Sequence, residues 1–241
     1  MAVTIRDETL VHVKNVVKIY RSGEIETTAL CGIDLEVKAG DFLAIVGPSG
    51  SGKTTLLNLI GALDAVTEGS LEVLGQNVSS MSLRQRADLR LHSLGFVFQA
   101  YNLFPVLTAQ ENVEFVLELQ GVNKNRRKRA REVLAQLGLE KYADRRPTQM
   151  SGGQQQRVAV ARAVASQPKL VLADEPTANL DGENAGILLD MMRELNERLG
   201  TTFIFSTHDP RVIDYARRVI TLVDGKIAKD IVKETDGDGQ L

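Results

Sequence analysis

The sequence predicts an α/β fold: a parallel-type sheet core, an antiparallel β subdomain and an inserted helical subdomain. Three observations carry that expectation. An apolar run, residues 42–46, leads through a glycine-rich stretch into a segment with helical spacing, Leu56, Leu57, Leu59, Ile60 and Leu63. Two continuous apolar runs, residues 169–173 and 202–206, flank a long segment whose apolar positions Ile187, Leu188, Met191, Met192 and Leu195 recur as on one helix face. Between residue 99 and about residue 150 the pattern turns helical and the strands stop.

The elements follow in chain order. Residues 11–20 alternate through Val11, Val13, Val17 and Ile19, and residues 30–37 through Leu30, Ile33, Leu35 and Val37, giving two half-buried strands with a loop at 21–24. A turn at 38–41 precedes the apolar strand 42–46, and another strand spans 70–74 after Glu68-Gly69. Tyr101 to Val106 reads as an exposed apolar loop, residues 109–119 as a helix with Val113, Phe115, Val116 and Leu117 inward, and residues 130–137 as a helix opened by the basic run 123–129. That run carries no interleaved aromatics and reads as a solvated helix face. Residues 183–199 form the long helix, and 219–223 with 226–231 form a hairpin around Asp224-Gly225. The expected organisation is one domain over 1–233, with the core at about 1–98 and 158–233, the helical subdomain at about 99–157, and a flexible polar tail at 234–241.

Composition narrows the function. Lys+Arg number 29 against 31 Asp+Glu, a net charge of -2, so no basic footprint for nucleic acid is present. The lone Cys31 excludes an internal disulfide and reads as a small core residue. No charged-then-apolar leader is visible, and no apolar run approaches the ~18–20 residues that span a bilayer. The expectation is a soluble, cytosolic chain that reaches a membrane only through another subunit.

The chemistry centres on Gly47-Pro48-Ser49-Gly50-Ser51-Gly52-Lys53-Thr54, a G-x-x-x-x-G-K-T pattern set between strand and helix. Its glycines let the backbone curl so that successive N–H groups point into one concavity, and the following helix adds unpaired N–H groups and its positive dipole end. Lys53 offers a point charge to β- and γ-phosphates, and the Thr54 hydroxyl suits Mg²⁺. This is a P-loop NTPase (RecA-like) core, and the cofactors it implies are ATP and Mg²⁺. The apolar run ending in Asp174-Glu175 puts two carboxylates at a strand end: Asp174 for the magnesium shell, Glu175 to polarise a water against the γ-phosphorus. Ser151-Gly152-Gly153-Gln154 opens a helical run, with a serine cap and small residues that admit a close anion. One chain therefore has two phosphate-type helix starts about a hundred residues apart.

Taken in order, Gly47 to Thr54, Gln99, Ser151 to Gln155, Leu170 to Glu175, Asn179-Leu180-Asp181 and His208 resemble the ATP-binding-cassette (ABC) ATPases over all but the two termini. Gly95-Phe96-Val97-Phe98-Gln99, the run 172–181 and Ser151 to Arg157 are more narrowly similar to the MacB/LolD subgroup. The resemblance implies further roles. Tyr20 matches the aromatic that stacks on adenine, and Gln99 matches the residue that reaches Mg²⁺ and the attacking water. Ser151, Gly152, Gly153 and Gln154 match the signature that contacts the γ-phosphate held by the other protomer. Asp181 matches the loop crossing the dimer interface, and His208 the γ-phosphate sensor. Thr54 and Thr55 replace the commoner Ser-Thr pair, which keeps the hydroxyl; Met150 and Ala178 are further small departures.

The resemblance implies a head-to-tail homodimer sandwiching ATP, coupled to an integral-membrane permease subunit with or without a periplasmic partner. Its place would be peripheral, on the cytoplasmic face of the inner membrane, with MacB/LolD-type export or lipoprotein handling as the activity. The alternatives are an FtsE-like regulatory ATPase gating a periplasmic activity, and a soluble ABC ATPase acting on DNA or ribosomes. The short insert and single cassette disfavour the last.

Overall fold

A computed structural model describes residues 8–233; the tail expected at 234–241 lies outside them. Its elements in order are β1 (Thr9–Ser22), β2 (Ile25–Lys38), β3 (Phe42–Val46), α1 (Lys53–Ile60), β4 (Glu68–Val73), β5 (Gln76–Asn77), α2 (Leu83–Ser93) and β6 (Leu94–Val97). There follow α3 (Ala109–Leu119), α4 (Arg126–Gln136), α5 (Gly152–Val164), β7 (Leu170–Asp174), α6 (Gly182–Leu199), β8 (Thr202–Ser206), α7 (Pro210–Tyr215), β9 (Arg218–Val223) and β10 (Lys226–Val232).

These strands build two sheets. The larger has the order β10-β9-β3-β8-β7-β6 and is parallel from β9 to β6, with β10 antiparallel at one edge. The smaller, β2-β1-β4-β5, is antiparallel throughout. Strands β3, β7 and β8 are buried on both faces, as continuous apolar runs in a parallel sheet must be. Phe42, Phe203 and Phe205 from β3 and β8 pack ring to ring at 4.7–5.9 Å, beside the buried faces of α5 and α6. A second apolar cluster joins α1 to the inward faces of both sheets.

Register decides where the strand ends meet. Ile45 pairs with Ser206 and Ser206 with Asp174, so β3, β7 and β8 end level with one another. Everything that follows those strands therefore collects at one edge, the carboxyl edge where open parallel sheets bind ligands. Two backbone bonds extend the ladder past it: Glu175 N–H to Ser206 O at 2.8 Å and Thr207 N–H to Ile45 O at 3.1 Å.

The inserted helices have local causes. Thr108 and Glu111 form a capping box at the start of α3. Asn112, fully buried on α3, accepts from Phe104 N–H at 2.8 Å and donates to the carbonyls of Phe104, Leu107 and Thr108 at 2.9–3.2 Å. That one side chain pins the loop leading in from Gln99, with Phe104 tilted edge-on to Phe115 at 4.9 Å.

Several sequence expectations are corrected here. In β1 the inward residues are Val11, Val13 and Val16, while Val17 and Ile19 are only half-buried. A bulge at Asn15, with φ of 46°, slips the alternation by one residue. Gly69 is required opposite it, because a Cβ there would stand 2.3 Å from the Asn15 carbonyl oxygen. Cys31 is half-buried on β2 and is not part of the core. The loop at 21–24 shrinks to a turn at Gly23 and Glu24, since both strands run further than their alternation. Four elements among the described residues have no counterpart in the pattern: β5, α2, β6 and α7.

Candidate functional site

The phosphate loop lies between β3 and α1 in a backbone path that only glycine allows at two points. Gly47 has φ of 149°, and a Cβ on it would sit 2.1 Å from the Leu222 carbonyl oxygen. Gly52, with φ of 103°, caps α1, and a Cβ there would reach 2.7 Å from the Ala29 carbonyl oxygen. Lys53 donates to the carbonyls of Gly47 and Pro48, both at 2.9 Å, so its ammonium lies folded over the loop. Around it a cavity of about 570 Å³ is lined by the loop and by Thr54, Thr55, Gln99, Glu175, His208 and Ala29.

The strand-end acids meet this loop from β7. Thr54 Oγ1 donates to the Asp174 carboxylate at 3.3 Å and 3.4 Å. A hydroxyl and a carboxylate side by side beside a phosphate-shaped loop form an all-oxygen donor set, and Mg²⁺ fits such a set. Glu175 follows in the left-handed region, φ 46°, a costly backbone for a non-glycine residue. Its carboxylate meets the loop between β8 and α7. There Glu175 accepts from Thr207 Oγ1 at 3.1 Å and meets His208 Nδ1 at 2.6 Å. Both side chains line the cavity, so this contact ties the candidate sensor to the candidate base.

The second helix start lies elsewhere. Ser151 Oγ accepts from Gln154 N–H at 3.3 Å, and the Gln154 side chain accepts from Ser151 N–H at 3.0 Å, a capping box at the head of α5. Neither Ser151, Gly152, Gly153 and Gln154 nor Asp181 lines the phosphate cavity. Ser151 and Asp181 are both exposed. Asp181 caps α6, accepting from the backbone and side chain of Asn184 at 2.8 Å. A Cβ on Gly152 would press on the Tyr101 hydroxyl, and one on Gly153 on the Asn184 side chain, so the signature backbone is packed tightly behind its open face.

Tyr20 is also outside the cavity lining. The residue is 41% exposed, its hydroxyl donates to Asp64 at 3.1 Å, and the Lys18 ammonium stands 4.8 Å from its ring centroid. Thr207, Thr177, Asp209 and Ala29 were missed by sequence reasoning; only the polar run Ser206 to Asp209 at a strand end hinted at the first and third.

A parallel sheet, a phosphate loop at its carboxyl edge and strand-end acids facing that loop define a P-loop NTPase. Comparison with known proteins then refines the class. Residues 30–178 match the family model for the ABC transporter. Over 221 residues the chain is 47% identical to the macrolide export ATP-binding/permease protein MacB of Syntrophobacter fumaroxidans, covering 90% of this chain but 31% of that protein. It is also 47% identical over 222 residues to the lipoprotein-releasing system ATP-binding protein LolD of Anaeromyxobacter dehalogenans, covering 91% and 93% of the two chains. Among solved structures, the ATP-binding cassette MJ0796, dimeric and post-hydrolysis with ADP and Pi, superposes with a TM-score of 0.87 at 42% identity, covering 94% of this chain and all of that one. The chain thus spans about a third of MacB and nearly all of LolD.

The chain belongs to the ABC transporter family. It is an ATP-hydrolysing cassette of that family, with ATP and Mg²⁺ as its nucleotide and metal.

Proposed function

We propose that this cassette closes head to tail on ATP as a homodimer and drives a separate membrane subunit, in a system of the MacB/LolD export or lipoprotein-handling type. The observation that carries this is the separation of the two anion sites. The phosphate loop opens on a cavity that the signature does not line, while Ser151 offers its capped helix start to solvent. Each site is completed when a second copy presents that face across a two-fold axis. The dimeric MJ0796 cassette and the permease named in MacB support both halves of the reading.

The roles we assign combine the family resemblance with the positions of these residues. The loop 47–52 and Lys53 receive the β- and γ-phosphates, with Thr55 beside them, and Tyr20 offers its ring to adenine. Thr54, Asp174 and Gln99 would hold the magnesium ion, which would neutralise phosphate charge. Glu175 takes the proton of the attacking water as its oxygen bonds to the γ-phosphorus and the bond to ADP breaks. His208, Gln154 and the backbone of Ser151, Gly152 and Gly153 from the other copy stabilise the charge on the transferred phosphoryl group, and Asp181 crosses the interface. Loss of the γ-phosphate removes the charge that holds the halves together, and the dimer opens. We take 99–157 as the unit that transmits this motion and 1–98 with 158–233 as the core.

Among the described residues no helix is long and apolar enough to cross a membrane. We place the cassette on the cytoplasmic face of the inner membrane, held by its partner. The face for that partner is a groove of about 430 Å³ between α2, β6 and α3, lined by Leu63, Leu91, Phe96, Phe104, Phe115 and Leu119. Phe104 and Leu119 are 44% and 54% exposed there. Asn102 and Phe104 of the apolar loop face this groove, whereas Tyr101, Leu103 and Pro105 line a separate crevice beside Pro147.

The experiment is affinity purification of the Glu175→Gln protein, with ATP and Mg²⁺, from detergent-solubilised membranes of its own host. An integral-membrane subunit recovered in stoichiometric amount is the expected result, and its periplasmic portion would separate transport from FtsE-like regulation. Recovery of soluble proteins or nucleic acid alone would overturn the membrane reading.

A further inference from the structure

The loop from Glu175 to Asp181 carries the base at one end and the interface aspartate at the other. Between them lies Thr177, fully buried, whose neighbours turn on its backbone: Ala178 N–H bonds Glu175 O at 3.2 Å and Leu180 N–H bonds Thr177 O at 3.0 Å. The Thr177 hydroxyl leaves this loop altogether. It donates to Asp209 Oδ2 at 2.6 Å, on the segment that carries Thr207 and His208.

Asp209 is 8% exposed and saturated with donors. Its Oδ1 accepts from Arg211 N–H and Arg211 Nε, both at 2.9 Å; its Oδ2 accepts from Arg211 Nη2 at 2.7 Å as well as from Thr177. Burial alone would raise its pKa, but the bonds from Arg211 and Thr177 outweigh that and hold the carboxyl down at about 2. Its backbone N–H donates to Thr207 Oγ1 at 3.0 Å, the same hydroxyl that donates to Glu175 at 3.1 Å. The bonds thus close a ring: Glu175, the loop to Thr177, Asp209, Thr207 and back to Glu175.

We propose that the Thr177–Asp209 bond is a positioning contact for hydrolysis, locking the base loop to the sensor loop so that Glu175, His208 and Asp181 keep one relative placement. This rests on the ATPase reading above and adds to it residues that do not line the phosphate cavity. A purely structural account of Asp209 is available, since it caps α7 through Arg211 N–H. Thr177 takes no part in that cap, so its hydroxyl separates the two accounts. The loop is also held to the helical side by Gln156 Nε2 on the Pro176 carbonyl at 2.7 Å and by Asn179 Nδ2 on the Gln99 carbonyl at 2.9 Å, whereas the Thr177 hydroxyl ties the middle of the loop to the segment that follows β8.

The test measures steady-state ATP hydrolysis of the full chain, Mg-ATP affinity and thermal midpoint for Thr177→Val and Thr177→Ser. Valine keeps the shape and removes the donor; serine keeps the donor and trims a methyl. The expected result is a kcat for Thr177→Val lowered about tenfold or more, with Mg-ATP affinity within about twofold, and most of the rate regained in Thr177→Ser; a misplaced catalytic group acts on the transition state rather than on ground-state binding. Arg211→Gln approaches the same bond from the solvent side, without opening the core, and is expected to lower kcat in the same sense. A Thr177→Val kcat within about twofold of wild type, or a serine variant no better than valine, overturns the inference. So does an unfolded Thr177→Val protein accompanied by a fully active Arg211→Gln. Absence of hydrolysis in the wild-type chain would instead overturn the ATPase reading itself.

Discussion

Glu175→Gln is expected to lower ATP turnover by about 10²–10⁴-fold, the range lost when a general base is removed, while Mg-ATP binding stays within about twofold of wild type. The amide matches the carboxylate in shape, so it can still accept from Thr207 Oγ1 and keep the kinked backbone at φ 46°. What it cannot do is take a proton from water. The groups that receive the phosphates, residues 47–54, belong to another loop and are untouched, which is why affinity and turnover should part company. Filter binding with labelled ATP alongside a phosphate-release assay reads both. A variant that hydrolyses at the wild-type rate would remove Glu175 from the base role.

Ser151→Arg is the second large effect, and it should fall on association. In a single chain Ser151 is exposed and serves as the cap of α5, so replacement costs the fold about 1 kcal/mol, the worth of an N-cap. On the proposed head-to-tail arrangement the same residue fronts the partner's phosphates. A long side chain there lifts the helix start away and forfeits hydrogen bonds to a charged group, each worth about 1.5–3 kcal/mol. Placed in the Glu175→Gln background, it should weaken nucleotide-driven dimerisation by about a hundredfold or more, taking two such bonds as lost. Binding of ATP to the monomer should survive. Sedimentation at a series of concentrations separates the two quantities, and an undiminished dimer would show that the signature is not at the interface.

The parts of this site that sequence revealed are those whose chemistry is local. Gly47 and Gly52 must be glycine because of their own φ values and the carbonyls against them, so the loop is written in eight consecutive residues. Asp174 and Glu175 could be read because a buried parallel strand is a continuous apolar run and its end is marked by the first charge. Ser151 was legible as a cap for the same local reason, and the structure adds Gln154 as the other half of the capping box.

What was hidden is non-local or faint. Helix α2 buries only Leu89, so no apolar period announces it, although Ser82 and Gln85 make a capping box that a search for caps would have found. One residue of bulge at Asn15 moves the inward position from Val17 to Val16, and alternation carries no marker for such a slip. Strand β6 has four residues and α7 has six, too few for a period to establish itself. The Thr177–Asp209 contact joins positions 32 residues apart, and only the level ends of β7 and β8 bring them together. Tyr20 is a different case. Its role came from resemblance, and its ring stands with Lys18 and Asp64 at the margin, outside the residues that line the phosphate cavity.

The central claim is that one chain holds half of each site, and light scattering of Glu175→Gln tests it most directly. With ATP and Mg²⁺ the mass should rise from the 26.4 kDa of a single chain to twice that value, and return to it when ADP replaces ATP. A protein that binds ATP fully yet stays at 26.4 kDa across the concentration range would contradict the account.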